Sequence, residues 1–157
     1  MGTYPTKAAS NIYCMCRKRA AEQNEKLKSR EGAAELLGYS TSSLAAWELG
    51  TDRPSPEAVL LMADLYHAPE LKNHYCKNVC PLGTGIPELK VRELDRITIM
   101  ALSSFKKISH SKENLLDIVA DGQITEDEKP ALEEIIKTMD EMTEIAQSLK
   151  AWAEKNI

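Results

Sequence analysis

A chain of 157 residues, 43% apolar with only seven Gly and seven Pro, can bury one ordinary core or two small ones and is neither collagen-like nor low-complexity. Its net charge of −4 is uneven: 10 Lys+Arg face 9 Asp+Glu in residues 1–85, against 10 and 15 in residues 86–157. The first part can offer a basic face to a polyanion, whereas the second repels phosphate.

The chain opens with MGTYPTK, which lacks the apolar stretch of a signal peptide, and no run approaches 18 apolar residues. A cytoplasmic chain without membrane contact is expected. Met1 to Thr6 satisfies a loose myristoylation pattern, with nothing else in the chain to support it. Aromatics are scarce and β-branched runs absent, so helix is favoured over strand. A first helix is predicted over about residues 10–27, with Ile12, Met15, Cys16, Ala20 and Leu27 as a partial apolar stripe. Ser29 is a suitable N-cap for a second helix that stops at Gly38. A third begins after Ser40 or Thr41 and is complete by Glu48. Ser55, Pro56 and Glu57 are a clear start for a fourth, whose apolar face is Val59, Leu60, Met62, Ala63 and Tyr66. A fifth starts at Ala68-Pro69-Glu70 and stops near Cys80-Pro81.

Pro81, Gly83, Gly85 and Pro87 read as a linker. Leu94, Ile97, Ala101, Phe105 and Ile108 then keep helical spacing, and a separate short helix is expected over 111–120. After Asp121-Gly122, the series Leu132, Ile135, Met139, Met142, Ala146, Leu149 and Ala153 repeats in steps of three and four, a seam suited to coiled-coil packing.

Residues 29–56 are the most informative. Gly32, Ala33 and Ala34 on one helix, and Ala45 and Ala46 on the next, are small where two helices cross closely. A tight turn at Gly38-Tyr39-Ser40 joins them. Such a pair is the helix-turn-helix unit, whose second helix can enter a DNA major groove. The string GYSTSSLAAWELG at residues 38–50, followed by Pro54 and Ser55, resembles the Cro/repressor-type (XRE) helix-turn-helix family. Residues 56–66 resemble the helix that follows in that family. The resemblance spans roughly residues 10–80 and implies a lambda-repressor-like, five-helix DNA-binding domain over residues 1–83. With the seam of the last helix, the expected fold is all-α, residues 84–157 forming a coiled-coil-like module for oligomerisation or partner binding.

In the resembling family, groove contacts come from the start and outer face of the second helix, here Thr41, Ser42, Ser43, Ala45 and Ala46, with Leu44 and Trp47 inward. That face lacks the Arg or Gln of a bidentate base pair, each worth about 1–3 kcal/mol of discrimination. Readout is left to hydroxyls, methyl groups and DNA shape. The resemblance puts phosphate anchors at Arg30, with the second helix's N-terminus, and at Arg53. Arg17, Lys18, Lys26 and Lys28 extend the candidate footprint. It also implies a structural ion pair between Arg17 and Glu48, which would make Glu48 a fold residue and not a DNA contact.

His74, Cys76 and Cys80 raise the question of a zinc site, with Cys14 or Cys16 completing it. The spacing fits no standard finger or ribbon, and buried free cysteines acting as small hydrophobes are the preferred reading. Residues 117–128 imitate an EF-hand calcium loop but place Val119 where an oxygen ligand belongs. A helix end at Asp121-Gly122 followed by a Thr125/Glu128 capping box explains the same residues. No cofactor is therefore expected. His67, His74 and His110 are scattered, no phosphate-binding loop is present, and an enzyme is not expected. The expected function is transcriptional repression by a homodimer, joined through its C-terminal helices on double-stranded DNA, in a bacterium or mobile element. The alternative is a helix-turn-helix used as a protein-docking module.

Overall fold

The computed structural model describes residues 7–118, 120 and 122–157, which form helices and connections with no strand among the described residues. Two compact units, residues 1–86 and 87–157, divide the chain. The myristoylation pattern at Met1 to Thr6 lies outside the described residues, and so do Val119 and Asp121 of the calcium-like loop. None of the described helices is long and apolar enough to cross a membrane.

The first unit holds α1 (Ile12–Ala20), α2 (Arg30–Leu37), α3 (Thr41–Leu49), α4 (Pro56–Leu65) and α5 (Glu70–Asn78), preceded by a 3-10 turn at Lys7–Ser10. Local chemistry sets most of these limits. Ser29 Oγ accepts from Gly32 N, Ser40 Oγ from Ser43 N and Ser55 Oγ from Ala58 N, each satisfying a first-turn donor that the helix itself leaves unbonded. Gly38 closes α2 in the left-handed region at φ 72°, where a side chain would be strained.

The first helix is shorter than the sequence suggested. It stops at Ala20, and a separate 3-10 turn at Glu25–Lys28, capped by the Asn24 side chain, carries the chain to α2. Leu27 on that turn is fully buried with Leu44, Met62 and Leu71 in the core of this unit. Each contributes on the order of 1.5–3 kcal/mol relative to exposure. On α4 the inward face is Ala58, Val59, Met62 and Ala63, with Tyr66 buried just past its end; Leu60, expected there, is 53% exposed. The expected linker is also partly ordered: Pro81–Gly83 form a 3-10 turn packed on α5. A Cβ on Gly83 would lie 1.5 Å from the Cys76 carbonyl oxygen, so only glycine fits that approach.

The second unit is a hairpin of α6 (Leu94–Ile118) and α7 (Lys129–Asn156). The break expected near residue 111 is absent; α6 runs unbroken through it. Its buried positions Ile97, Ser104, Ser111 and Ile118 recur every seven residues. On α7 the buried residues are Ile135, Thr138, Ile145, Ser148 and Ala151. The seam therefore lies about one position from the expected one, and Met139, Ala146 and Leu149 face outward. Small hydroxyl residues fill the inner contact, with Thr138 Oγ1 donating to Glu134 O and Ser148 Oγ to Glu144 O. In the connection, Glu128 Oε2 accepts from Thr125 N at 2.8 Å and Thr125 Oγ1 at 2.9 Å.

Candidate nucleic-acid interface

Glu48 organises the first unit. It sits near the end of α3, fully buried, and takes hydrogen bonds from two other segments. Arg17 on α1 donates from Nε to Oε1 at 2.5 Å and from Nη2 to Oε2 at 3.1 Å. Arg30, the first residue of α2, donates from Nε to Oε2 at 2.7 Å. Arg17 Nη1 also donates to the carbonyls of Leu27 (2.8 Å) and Lys28 (3.3 Å). One carboxylate thus joins α1, α2 and α3 and fixes how α3 rests on the domain. Burial pushes the Glu48 carboxyl up, but the Arg17 and Arg30 hydrogen bonds and charges outweigh it and hold the group below the ordinary value.

A second tie comes from Asn11, whose role across the domain no local sequence signal marks. Its Oδ1 caps α1 through Tyr13 N and Cys14 N, while its Nδ2 donates to the Trp47 carbonyl at 3.0 Å. The start of α1 is thereby pinned to the end of α3. In the turn, Tyr39 packs edge-on against Trp47, ring centres 5.1 Å apart. Leu44 and Trp47 are buried, so α3 presents the opposite surface outward. On that surface Ser42 is exposed, and Thr41, Ser43, Ala45 and Ala46 are partly exposed. The Ser42 and Ser43 hydroxyls lie 2.9 Å and 2.8 Å from Ser40 Oγ, a small hydroxyl cluster at the helix start.

Among the expected phosphate anchors, Arg17 is excluded as a surface contact because it is buried and committed to Glu48. Arg30 is anchored at Nε to Glu48 but keeps a third of its side chain exposed, so its outer nitrogens can face solvent. Arg53 is exposed in the loop after α3. Lys26 and Lys28 are exposed and pair with Glu35 and Glu25; Lys18 is exposed as well.

The suggested zinc ligands do not assemble. Among the described residues no group of three or more His, Cys, Asp or Glu could hold a metal ion. The physical reason lies at the end of α5: the helix stops at Asn78, and Cys80 is already extended, so Cys76 and Cys80 are not one helical turn apart. His74 instead stacks edge-on against Tyr13. Cys14 and Cys16 are buried; burial raises the Cys14 thiol, and Glu48 raises it further. Cys16 Sγ lies against Glu70, which also pairs with Arg19. The calcium-like loop begins inside α6 at Asp117, and its last carboxylate, Glu128, is engaged by Thr125.

Residues 16–73 match the family model described as a helix-turn-helix domain. The N-terminal unit carries a helix-turn-helix. The match covers α2, the turn at Gly38 and α3, and extends into α5. No curated protein and no solved structure matches the chain. Within this helix-turn-helix, Glu48, Arg17 and Arg30 all lie inside the matched segment, as do the α3 surface and Arg53.

Proposed function

We propose that the protein is a DNA-binding transcriptional regulator of the Cro/repressor kind that acts as a dimer by occupying its operator. The observation carrying this reading is an α3 whose inner side is locked by Glu48, Leu44 and Trp47 while its outer side remains accessible. In this reading Thr41, Ser42, Ser43, Ala45 and Ala46 meet base edges, and Arg53 and the outer nitrogens of Arg30 meet phosphate. Two copies joined through the second unit set two α3 helices in successive major grooves, about 34 Å apart. The setting is the cytoplasm, on the nucleoid.

One observation favours a rival: residues 41–46 contain no Arg, Lys, Gln or Asn, so the same surface suits docking to another protein. Selection from a random duplex pool, followed by salt titration of the winning sequence, separates the two. A regulator enriches a near-palindromic site and loses affinity steeply as salt rises. Absence of duplex binding even at low salt overturns the reading in favour of the docking module.

A further inference from the structure

We infer that one side of the α6–α7 hairpin seats a second copy of this chain, forming a four-helix bundle in which α6 of each protomer lies against α7 of its partner. This deepens the dimeric reading above and rests on it. The two sides of the hairpin differ sharply. One is closed by ion pairs, Lys107 to Glu141 at 2.6 Å and Arg92 to Glu144 at 3.0 Å. The other exposes Leu102, Phe105 and Leu116 on α6 and Ile136 and Met139 on α7, each between 49% and 59% open. Between them runs an apolar groove of about 440 Å³, lined by Ile108, Leu115, Leu116, Ile135 and Met139.

The exposed stripe is not scattered. Leu102, Phe105, Ser109 and Leu116 each follow by one residue a half-buried or buried position (Ala101, Ser104, Ile108 and Leu115), so they repeat at coiled-coil spacing along α6. Ser104, Ser111, Thr138 and Ser148 take four of the nine buried positions of α6 and α7, while Leu102, Phe105 and Leu116 lie outside. A unit as small as residues 87–157 with so little enclosed apolar volume commonly draws its stability from oligomerisation. Helices of 25 and 28 residues are about 40 Å long and together about 20 Å wide. That face approaches the roughly 800 Å² per partner of a standard stable interface.

Charge selects the occupant and its orientation. Beside the stripe α6 carries Lys106 and Lys112, whereas the outer edge of α7 carries Glu133 and Asp140, seven residues apart. None of these four makes an ion pair with any described residue. Within the hairpin Lys107 is level with Glu141. Because the two helices run antiparallel, a two-fold axis along them brings Lys106 within about 3 Å of the height of the partner's Asp140, and Lys112 within about 5 Å of that of the partner's Glu133. An axis across the helices would oppose lysines to lysines and acids to acids, which is unfavourable. The favoured axis also sends both copies of residue 87 out of the same end of the bundle.

The test is molar mass and dimer dissociation measured on the full chain by light scattering and sedimentation. The wild-type chain should have twice its 17.5 kDa mass, and Phe105→Glu should be monomeric with its helicity retained. Lys106→Glu or Asp140→Lys should each weaken the dimer about tenfold, since symmetry makes each change act twice, and the double variant should return to within about threefold of wild type. A wild-type chain that stays monomeric overturns the inference and assigns the face to a different partner. A dimer in which the double variant is no better than either single overturns the α6–α7 pairing and leaves the regulator reading standing. Full charge-swap rescue in a chain that binds no duplex supports the bundle and sinks the regulator reading instead.

Discussion

Replacing Glu48 by Gln keeps the shape of the side chain and removes its charge. Arg17, 4% exposed, then keeps a buried guanidinium without its counter-ion. Breaking a buried pair by removing one partner costs about 3–5 kcal/mol. The Arg30 contact adds little, because a third of that side chain reaches water. For a unit of this size each kcal/mol lowers the melting temperature by about 4–8 °C, so a drop of at least about 12 °C is expected. The assay is thermal and urea unfolding followed by Trp47 fluorescence in a Trp152→Phe background, which isolates the first unit. A double change, Arg17→Met with Glu48→Met, removes both charges and should cost only about 1–3 kcal/mol. That residue of cost comes from the Leu27 and Lys28 carbonyls that Arg17 no longer satisfies. If Glu48→Gln costs less than about 1 kcal/mol, or the double change costs as much as the two singles together, Glu48 is not the junction described above.

The same carboxylate sets an acid limit. Its folded pKa lies below the ordinary 4.5, so its stabilisation is complete above that value and is lost as pH falls through the depressed folded value. Unfolding free energies of wild type and Glu48→Gln, measured across pH 2–7, should converge on acidification; a constant gap would contradict the assignment. Arg53→Ala should weaken binding to all duplexes alike and reduce the log–log salt slope by about 0.9, while changing stability by less than about 0.5 kcal/mol. Ser40→Ala removes the α3 cap and should cost about 1 kcal/mol in urea unfolding.

The starts of α2 to α4 and the end of α2 were legible because each is marked by a residue with a local job: Ser29, Gly38, Ser40, Ser55 and Pro56. The end of α1 was not, since no Gly or Pro lies between residues 17 and 28. There the break serves tertiary structure, turning the Leu27 and Lys28 carbonyls toward Arg17. In the hairpin the apolar pattern supports two neighbouring stripes, and the larger side chains drew the reading to the outward one. Only burial reveals that Thr138 and Ser148 lie inside. Nothing in composition or spacing singles out Glu48; resemblance pointed to Arg17, but its bond to Arg30 requires α2 and α3 to be packed. The small α3 surface follows from the residues themselves, whereas the role of Asn11 depends on the distant Trp47 carbonyl.

The most direct measurement is backbone-amide NMR of the full chain titrated with its selected duplex. The account predicts that the largest changes cluster at residues 40–46 and at the start of α2, and that they fade as salt is raised. Saturable duplex binding that leaves those amides unmoved and shifts another surface would contradict it.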